Sequence, residues 1–322
     1  MPEELNPNTT HCGFVAIIGA PNAGKSTLVN ALVGTKVSIV TQKVQTTRFP
    51  VRGIAMAGDT QMILVDTPGI FKPRRRLDRA MVASAWGGAE DADCIVLLVD
   101  AAAQLAVKHP SKDIKATAAD HKAVEDVDMI VQGLKDSGSR AILALNKIDL
   151  MKSENLLAIA DELYKQGVFD DVLMISADKG HGVKDLEKLL VKRMPEGPWL
   201  YPEDQAADAP ARILAAEITR EKLFLRVHEE LPYAAAVVTT EFKDLPDGSA
   251  RIEQTIFVER DGQRAIVLGK GGQTLKWIGQ KSREDLAKLL DRPVHLFLHV
   301  KVEERWSEDR ALYAQFGLEF DS

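Results

Sequence analysis

Residues 19–26, GAPNAGKS, set two glycines, a lysine and a serine at the spacing of a phosphate-binding loop. Gly19 and Gly24 let backbone amides curl around phosphate oxygens, and the helix that must follow adds the positive end of its dipole. Lys25 can reach the β and γ phosphates of a nucleotide, and the Ser26 hydroxyl can ligate magnesium. Asn22, Ala23 and Thr27 complete the wrap. The base is addressed by NKID, residues 146–149. Asp149 can accept from N1–H and the exocyclic amine of guanine together. Adenine has no such pair of donors and would strand the carboxylate, which is the strong form of discrimination. Asn146 would hold this loop, and the stem of Lys147 would cover the base plane. Ser176, Ala177 and Asp178 follow the next strand-like run and could set a backbone amide on the guanine oxygen.

A third motif, DTPGI at 66–70, carries a puzzle. Asp66 suits a carboxylate that holds magnesium through water, and the Gly69 amide can meet the γ phosphate, with Thr67 and Pro68 between them. In one well-known type of nucleotide hydrolase the next residue is a glutamine that orients the attacking water. Here it is Ile70, which can neither donate nor accept. TQKVQTTRFP, residues 41–50, lies where the first switch loop belongs, and one threonine there must reach the metal. Thr47 and Thr46 are the candidates. The metal set is then Ser26, Thr47 and Asp66, and the catalytic set Lys25, Thr47 and Gly69. Each motif alone has a plainer reading: a glycine-rich turn, a charged helix start, a strand-end aspartate, a polar loop. Their order and spacing together favour the nucleotide site.

These residues need strands and helices to hold them. FVAIIG (14–19), MILVD (62–66), CIVLLVD (94–100), AILALN (141–146) and DVLMIS (171–176) are apolar throughout, as strands covered on both faces are. Helical patterns occupy 25–33, 121–136, 153–165 and 182–193. The alternation predicts an α/β domain with a mostly parallel sheet, over 13–195. A turn in FPVRGIAMAGDTQMILVD predicts one antiparallel pair at the sheet edge. Residues 101–124 read as an exposed loop or weak helix. A proline-rich, acidic stretch over 196–210 reads as a linker, and 1–12 as a polar tail.

Beyond 210 the pattern changes to helix (212–229), strands (234–243 and 250–259), a glycine-rich loop, helix (273–290), strand (294–301) and a last helix (303–314). This predicts a small α+β domain over 211–303, with 304–322 as a terminal helix and tail. The loop is Gly269, Lys270, Gly271 and Gly272. Glycines let a backbone approach phosphate and sugar closely. Between 260 and 283, Arg260, Arg264, Lys270, Lys276, Lys281 and Arg283 face only Asp261. Lys276, Lys281 and Arg283 join the loop as candidate RNA contacts. Ile266, Val267, Leu268 and Ile278 could line a base groove or simply pack the core, and Trp277 could stack on a base.

The 322-residue chain is 45% hydrophobic and 27% charged, with net charge −6, ordinary values for a globular protein. A mildly acidic whole does not exclude nucleic acid, because binding needs only a local basic face. Cys12 and Cys94 fit no metal or disulfide spacing. No apolar run approaches the ~18 residues of a spanning helix, and the start has neither signal- nor transit-peptide character. A cytoplasmic protein is expected, with surface attachment to a membrane left open.

At QTTR (45–48), DTPGIFKP (66–73) and NKID together, the chain resembles the Era family of bacterial GTPases, over nearly its whole length. ITREKLFLRVHEELPY (218–233) is similar to the family's sequence, and VLGKGGQTLKWIG (267–279) resembles the loop and helix of a type II KH domain. The resemblance implies a P-loop GTPase domain followed by a KH domain. It implies slow hydrolysis of GTP to GDP, magnesium, binding at the 3′ end of 16S rRNA and a role in 30S ribosomal subunit assembly. It also implies a monomer, in the cytoplasm or peripheral on the cytoplasmic face of the inner membrane. Relatives with a hydrophobic residue after D-x-x-G still hydrolyse GTP, and in several a potassium ion (K+) sits beside the phosphates, held partly by an Asn where Asn22 stands. Two other readings compete: a GTPase that recruits a protein or membrane surface through its second domain, and an RNA-binding module with a vestigial nucleotide site.

Overall fold

A computed structural model of the protein describes residues 9–41, 47–48, 50–110, 114–208, 210–227, 231–315 and 318–321. Its chain divides into two compact units, the first built from 1–38, 47–208 and 321–322, the second from 39–46 and 209–320.

The first unit is built on a seven-stranded sheet. Its strands are β1 (His11–Ile18), β2 (Val51–Ala57), β3 (Thr60–Asp66), β4 (Cys94–Asp100), β5 (Ala141–Asn146), β6 (Phe169–Met174) and β7 (Ala207–Asp208). They lie in the order β6-β5-β4-β1-β3-β2-β7. Pairings from β3 to β6 are parallel, and β2 is antiparallel to both β3 and β7. The helices are α1 (Lys25–Val33), α2 (Arg76–Glu90), α3 (Ala101–Lys108), α4 (Ala118–Ser137), α5 (Leu156–Tyr164) and α6 (Val183–Val191).

The continuous apolar strands have the cause expected of them. Ala16 and Ile18 of β1 join a core with Leu105, Ile130, Leu134 and Ile159, from α3, α4 and α5. Their neighbours Val15 and Ile17 join the opposite core, with Leu28 of α1 and Leu186 and Leu190 of α6. Alternate side chains thus serve two buried faces, which leaves no polar alternation in the sequence. Every parallel strand ends at the same edge of the sheet, the place where open α/β sheets bind ligands.

Three features depart from the sequence expectation. Helix α2 was not expected. Its run RLDRAMVASAWGGAE buries Leu77, Ala80, Met81, Ala85 and Ala89, three of them alanines, which mark an apolar face only weakly. Residues 101–124 are helical at their start, and the departure is the burial there: α3 buries Ala101, Ala103, Gln104, Leu105 and Ala106, and Asp100 caps it by accepting from Ala102 N and Ala103 N, both at 3.1 Å, while most described residues over 108–122 are exposed. The antiparallel strand β2 is one strand short of the edge, which β7 occupies.

The second unit runs α7 (Ala211–Arg226), β8 (Ala235–Asp244), β9 (Ala250–Val258), α8 (Asp261–Leu268), α9 (Gln273–Leu289) and β10 (Val294–Val302), then a short α10 (Arg310–Gln315) where a longer last helix was expected. The sheet order is β10-β9-β8, with β9 and β10 parallel and β8 and β9 antiparallel. This α-β-β-α-α-β order is that of a type II KH domain. β9 alternates strictly between buried and half-buried residues, because the helices cover one face only.

Candidate nucleotide site and glycine-rich RNA loop

The phosphate-binding loop joins β1 to α1. Asn22 and Gly24 are left-handed, at φ 64° and 102°. A Cβ on Gly24 would lie 2.4 Å from Asn146 Nδ2, so only glycine fits there. Lys25 is buried, and its ammonium donates to Gly19 O at 3.1 Å and Ala20 O at 3.0 Å. Burial pulls its pKa down to about 8 against the opposing pull of Asp66. A desolvated ammonium that, among the described residues, donates to two carbonyls is suited to receive an anion.

The three proposed metal ligands meet although they lie far apart in sequence. Ser26 Oγ and Thr47 Oγ1 are 3.0 Å apart, and Thr47 Oγ1 donates to Asp66 Oδ2 at 3.2 Å. Asp66 is fully buried, and among the described residues its Oδ1 has no hydrogen-bond partner. Burial pushes its carboxyl up, opposed by the Ser26 hydroxyl and Lys25. An orphaned carboxylate oxygen beside two hydroxyls is a hard oxygen set, and magnesium fits it. The other candidate, Thr46, lies outside the described residues.

Gly69 packs against the loop so closely that a Cβ would meet Pro21 at 2.9 Å. Ile70 N donates to Gly19 O at 3.1 Å, and Thr67 Oγ1 donates to Ile17 O at 2.8 Å. Pro68 is buried between them, while Ala23 and Thr27 flank the loop and α1. The Ile70 side chain is wholly buried in the core that holds Val127, Ile130 and Val131 of α4. It is therefore a packing residue.

On the base side, Asn146 donates from Nδ2 to Ala23 O at 2.7 Å and accepts from Ala177 N at 2.9 Å. One side chain thus ties the phosphate loop to both base loops. Lys147 is left-handed, at φ 66°, and its ammonium meets Asp100 Oδ2 at 2.5 Å. Asp149 is exposed, and the Ser176 hydroxyl holds its carboxyl below the usual range, so it stands ionised and ready to accept. Asp178 pairs with Lys179 at 2.7 Å and is exposed.

Sequence reasoning missed two supporting residues. Asp100 serves both the α3 cap and Lys147, and only its strand-end position hinted at a role. Asn30 of α1 accepts from Val37 N and Ser38 N and donates to Ser38 O, which anchors the entry to the first switch loop.

In the second unit the loop connects α8 to α9. Gly269, Gly271 and Gly272 all have positive φ, and a Cβ on Gly269 would strike Thr274 Oγ1 at 2.3 Å. Lys270 is exposed at the tip. Lys276 and Arg283, with Gln280, line an open depression of about 510 Å³ along α9. Lys281 instead pairs with Glu284 at 2.7 Å. Val267 and Ile278 are core residues, and Ile266 is exposed. Trp277 carries the Arg226 guanidinium 5.4 Å from its ring centre.

Residues 14–147 match the family described as 50S ribosome-binding GTPase, and residues 230–307 match the KH domain family. The chain is 66% identical to GTPase Era of Caulobacter vibrioides over 97% of its length and 98% of that protein's. It is 58% identical to GTPase Era of Maricaulis maris, over 98% of this chain and the whole of the relative. Among solved structures, Era in complex with MgGDPNP and nucleotides 1506–1542 of 16S ribosomal RNA superposes with a TM-score of 0.85 at 37% identity, covering 96% of this chain and 99% of that one. A single-residue variant of Aquifex aeolicus Era bound to GDP.AlF4- gives 0.84 at 37% identity, with the same coverage.

Proposed function

This chain belongs to the Era family of GTPases, and from that premise we propose that it is a GTP-hydrolysing switch that binds the 3′ region of 16S rRNA through its KH loop and assists 30S subunit assembly. The observation that carries the reading is the meeting of Ser26, Thr47 and Asp66 beside the buried ammonium of Lys25. On nucleotide binding, Lys25 exchanges two carbonyls for the β and γ phosphates. Magnesium held by Ser26, Thr47 and Asp66 supplies positive charge to the phosphate oxygens. Thr47 of the first switch loop reaches the metal set and Gly69 N–H meets the γ phosphate, so this loop and the segment 66–79, the second switch, both sense that phosphate. No side chain need serve as base, because positioning and electrostatics carry most of phosphoryl transfer. Asp149, aligned by Ser176, selects guanine, and Lys147, held by Asp100, covers the base.

Potassium beside the phosphates, held in part by Asn22, is a further part of this proposal. So are a cytoplasmic location and a monomeric state. Among the described residues no helix is long and apolar enough to cross a membrane.

The test has two arms. Gly269→Asp adds a side chain and a negative charge where phosphate approaches, so binding to an RNA ending in the 16S 3′ sequence should fall by about tenfold or more. Retained binding would refute the KH reading. Single-turnover GTP hydrolysis should run faster in potassium than in sodium at equal ionic strength. Equal rates would remove the potassium ion and leave the rest.

A further inference from the structure

The second switch carries a cluster of cations that the nucleotide site does not use. Lys72, Arg74, Arg75, Arg76 and Arg79 fall within eight residues, and all are exposed. The acid among them, Asp78, is buried, and its Oδ2 accepts from Arg74 N and Arg75 N at 3.0 Å. That carboxylate oxygen is spent on shaping the loop and the start of α2. Among the described residues, Lys72, Arg74, Arg75 and Arg79 make no ion pair. Lys122 of α4 stands 5.7 Å from the Phe71 ring centre and adds a cation beside them.

The neighbouring apolar residues are hidden. Ile70, Phe71 and Leu77 are all buried, so the surface presents guanidinium forks without an apolar anchor. A protein interface is centred on buried aromatic or aliphatic anchors, and an amphipathic membrane-surface helix buries apolar groups at the acyl boundary; this face offers neither. Arginine forks without such anchors suit phosphates, which they grip in pairs of parallel hydrogen bonds. The cations lie along a loop and then along one helix, where Arg76 and Arg79 are i,i+3 neighbours about 5–6 Å apart. That spread calls for several phosphates in a row. The cluster begins three residues after Gly69 and is tied to the phosphate loop through Ile70 N and Gly19 O.

We propose that Lys72, Arg74, Arg75, Arg76 and Arg79 form a second RNA contact, specific for the phosphate backbone, whose presentation answers to the nucleotide state. It rests on the RNA-binding reading above. The KH loop would then choose the sequence, and this face would contribute affinity without sequence preference.

The experiment uses the full chain and an RNA of nucleotides 1506–1542 of 16S rRNA, the segment present in the solved Era complex. Binding is titrated from about 50 to 300 mM potassium chloride with a GTP analogue or GDP present. The variants are Arg74→Ala/Arg75→Ala/Arg79→Ala, Arg75→Glu and Gly269→Asp, with melting temperature as the check on folding. The triple variant should flatten the slope of log affinity against log salt by about 2 to 3, since each lost phosphate contact removes about 0.7–0.9. The flattening should differ between the two nucleotides. Arg75→Glu, which reverses a charge, should weaken binding more than Arg75→Ala measured beside it. If Gly269→Asp abolishes binding while the triple variant keeps the wild-type slope, the KH reading stands and this contact is refuted. Equal flattening with both nucleotides refutes the nucleotide dependence. Arginine-dependent capture by phosphatidylserine vesicles with an unchanged RNA slope would overturn the assignment in favour of a lipid surface.

Discussion

At the scale of single residues, the site is poised by burial and by a few fixed hydrogen bonds. Lys25, donating to two carbonyls, has a pKa of about 8, and phosphates must raise it. Below that pH it is already charged, so GDP affinity should change little on that account. Above it binding must recruit a proton, and affinity should fall as pH rises. Calorimetry in buffers of different ionisation enthalpy should show uptake of most of a proton at about pH 8.5 and little at about pH 7. No uptake at the higher pH would mean that the lysine is charged throughout. Asp149→Asn replaces one acceptor with a donor that faces guanine N–H groups. GTP affinity should fall by about 2–4 kcal/mol, with xanthine nucleotides relatively favoured. Unaltered GTP binding would place the base elsewhere. Ile70→Gln asks whether the switch wants a water-holding amide. The side chain at 70 points into a core with Val127 and Val131, so glutamine would bury an unpaired amide there. The variant should be less stable by roughly 2 kcal/mol or more, and gain no rate. A clear gain in single-turnover rate would show that the loop can turn that residue outward.

At the scale of elements, α4 acts as the backrest of the second switch. Asp126 of α4 is buried, accepts the backbone N–H of Lys72 and has Lys122 near it. Burial raises its pKa to about 6 despite those two opposing contacts. The folded value lies above the unfolded one, so the native state holds the proton longer and stability falls as pH rises from about 4 to 6. Asp126→Asn should remove that fall, worth up to about 3 kcal/mol across the window. Urea midpoints of the two proteins at about pH 4.5 and 7 measure it, and parallel pH profiles would contradict the assignment. The same region marks what sequence could and could not convey. The candidate nucleotide-site residues could be picked out because the chemistry they would perform fixes both their types and their spacing: Lys25 beside Ser26, Asp66 before Gly69, Asn146 before Asp149. Thr47 could only be narrowed to one of two threonines, since nothing local shows which one meets Asp66. The burial of α3 was hidden because half of its residues are alanine, which signals neither face. Strand β7 was hidden because two residues have no period. The KH order was legible from a change in pattern, but the engagement of Lys281 with Glu284 depends on rotamers that no sequence displays.

At the scale of the whole molecule, net charge −6 coexists with two concentrations of positive charge, one after Gly69 and one around Gly269. The acidic remainder should discourage non-specific adhesion to nucleic acid, so that affinity depends on these faces. The order of the large sheet has a consequence for the chain as it is being made. Strand β2 is bounded on its outer side by β7 alone, through Arg52 with Asp208, Gly53 with Ala207 and Ile54 N on Ala206 O at 2.8 Å. Those partners emerge about 150 residues after β2, an interval of roughly 8–30 s at ordinary elongation rates. During that time one row of β2 amides and carbonyls is open, and neighbouring nascent chains on a polysome present the same row. Arg52 is then a charge on a bare margin, where it can repel a copy of itself before it ever meets Asp208. Chains released before Ala206 should aggregate faster than full-length chains, and Arg52→Val should accelerate this further while costing the finished protein little. Equal turbidity for the truncated and complete chains would show that the margin needs no such guard.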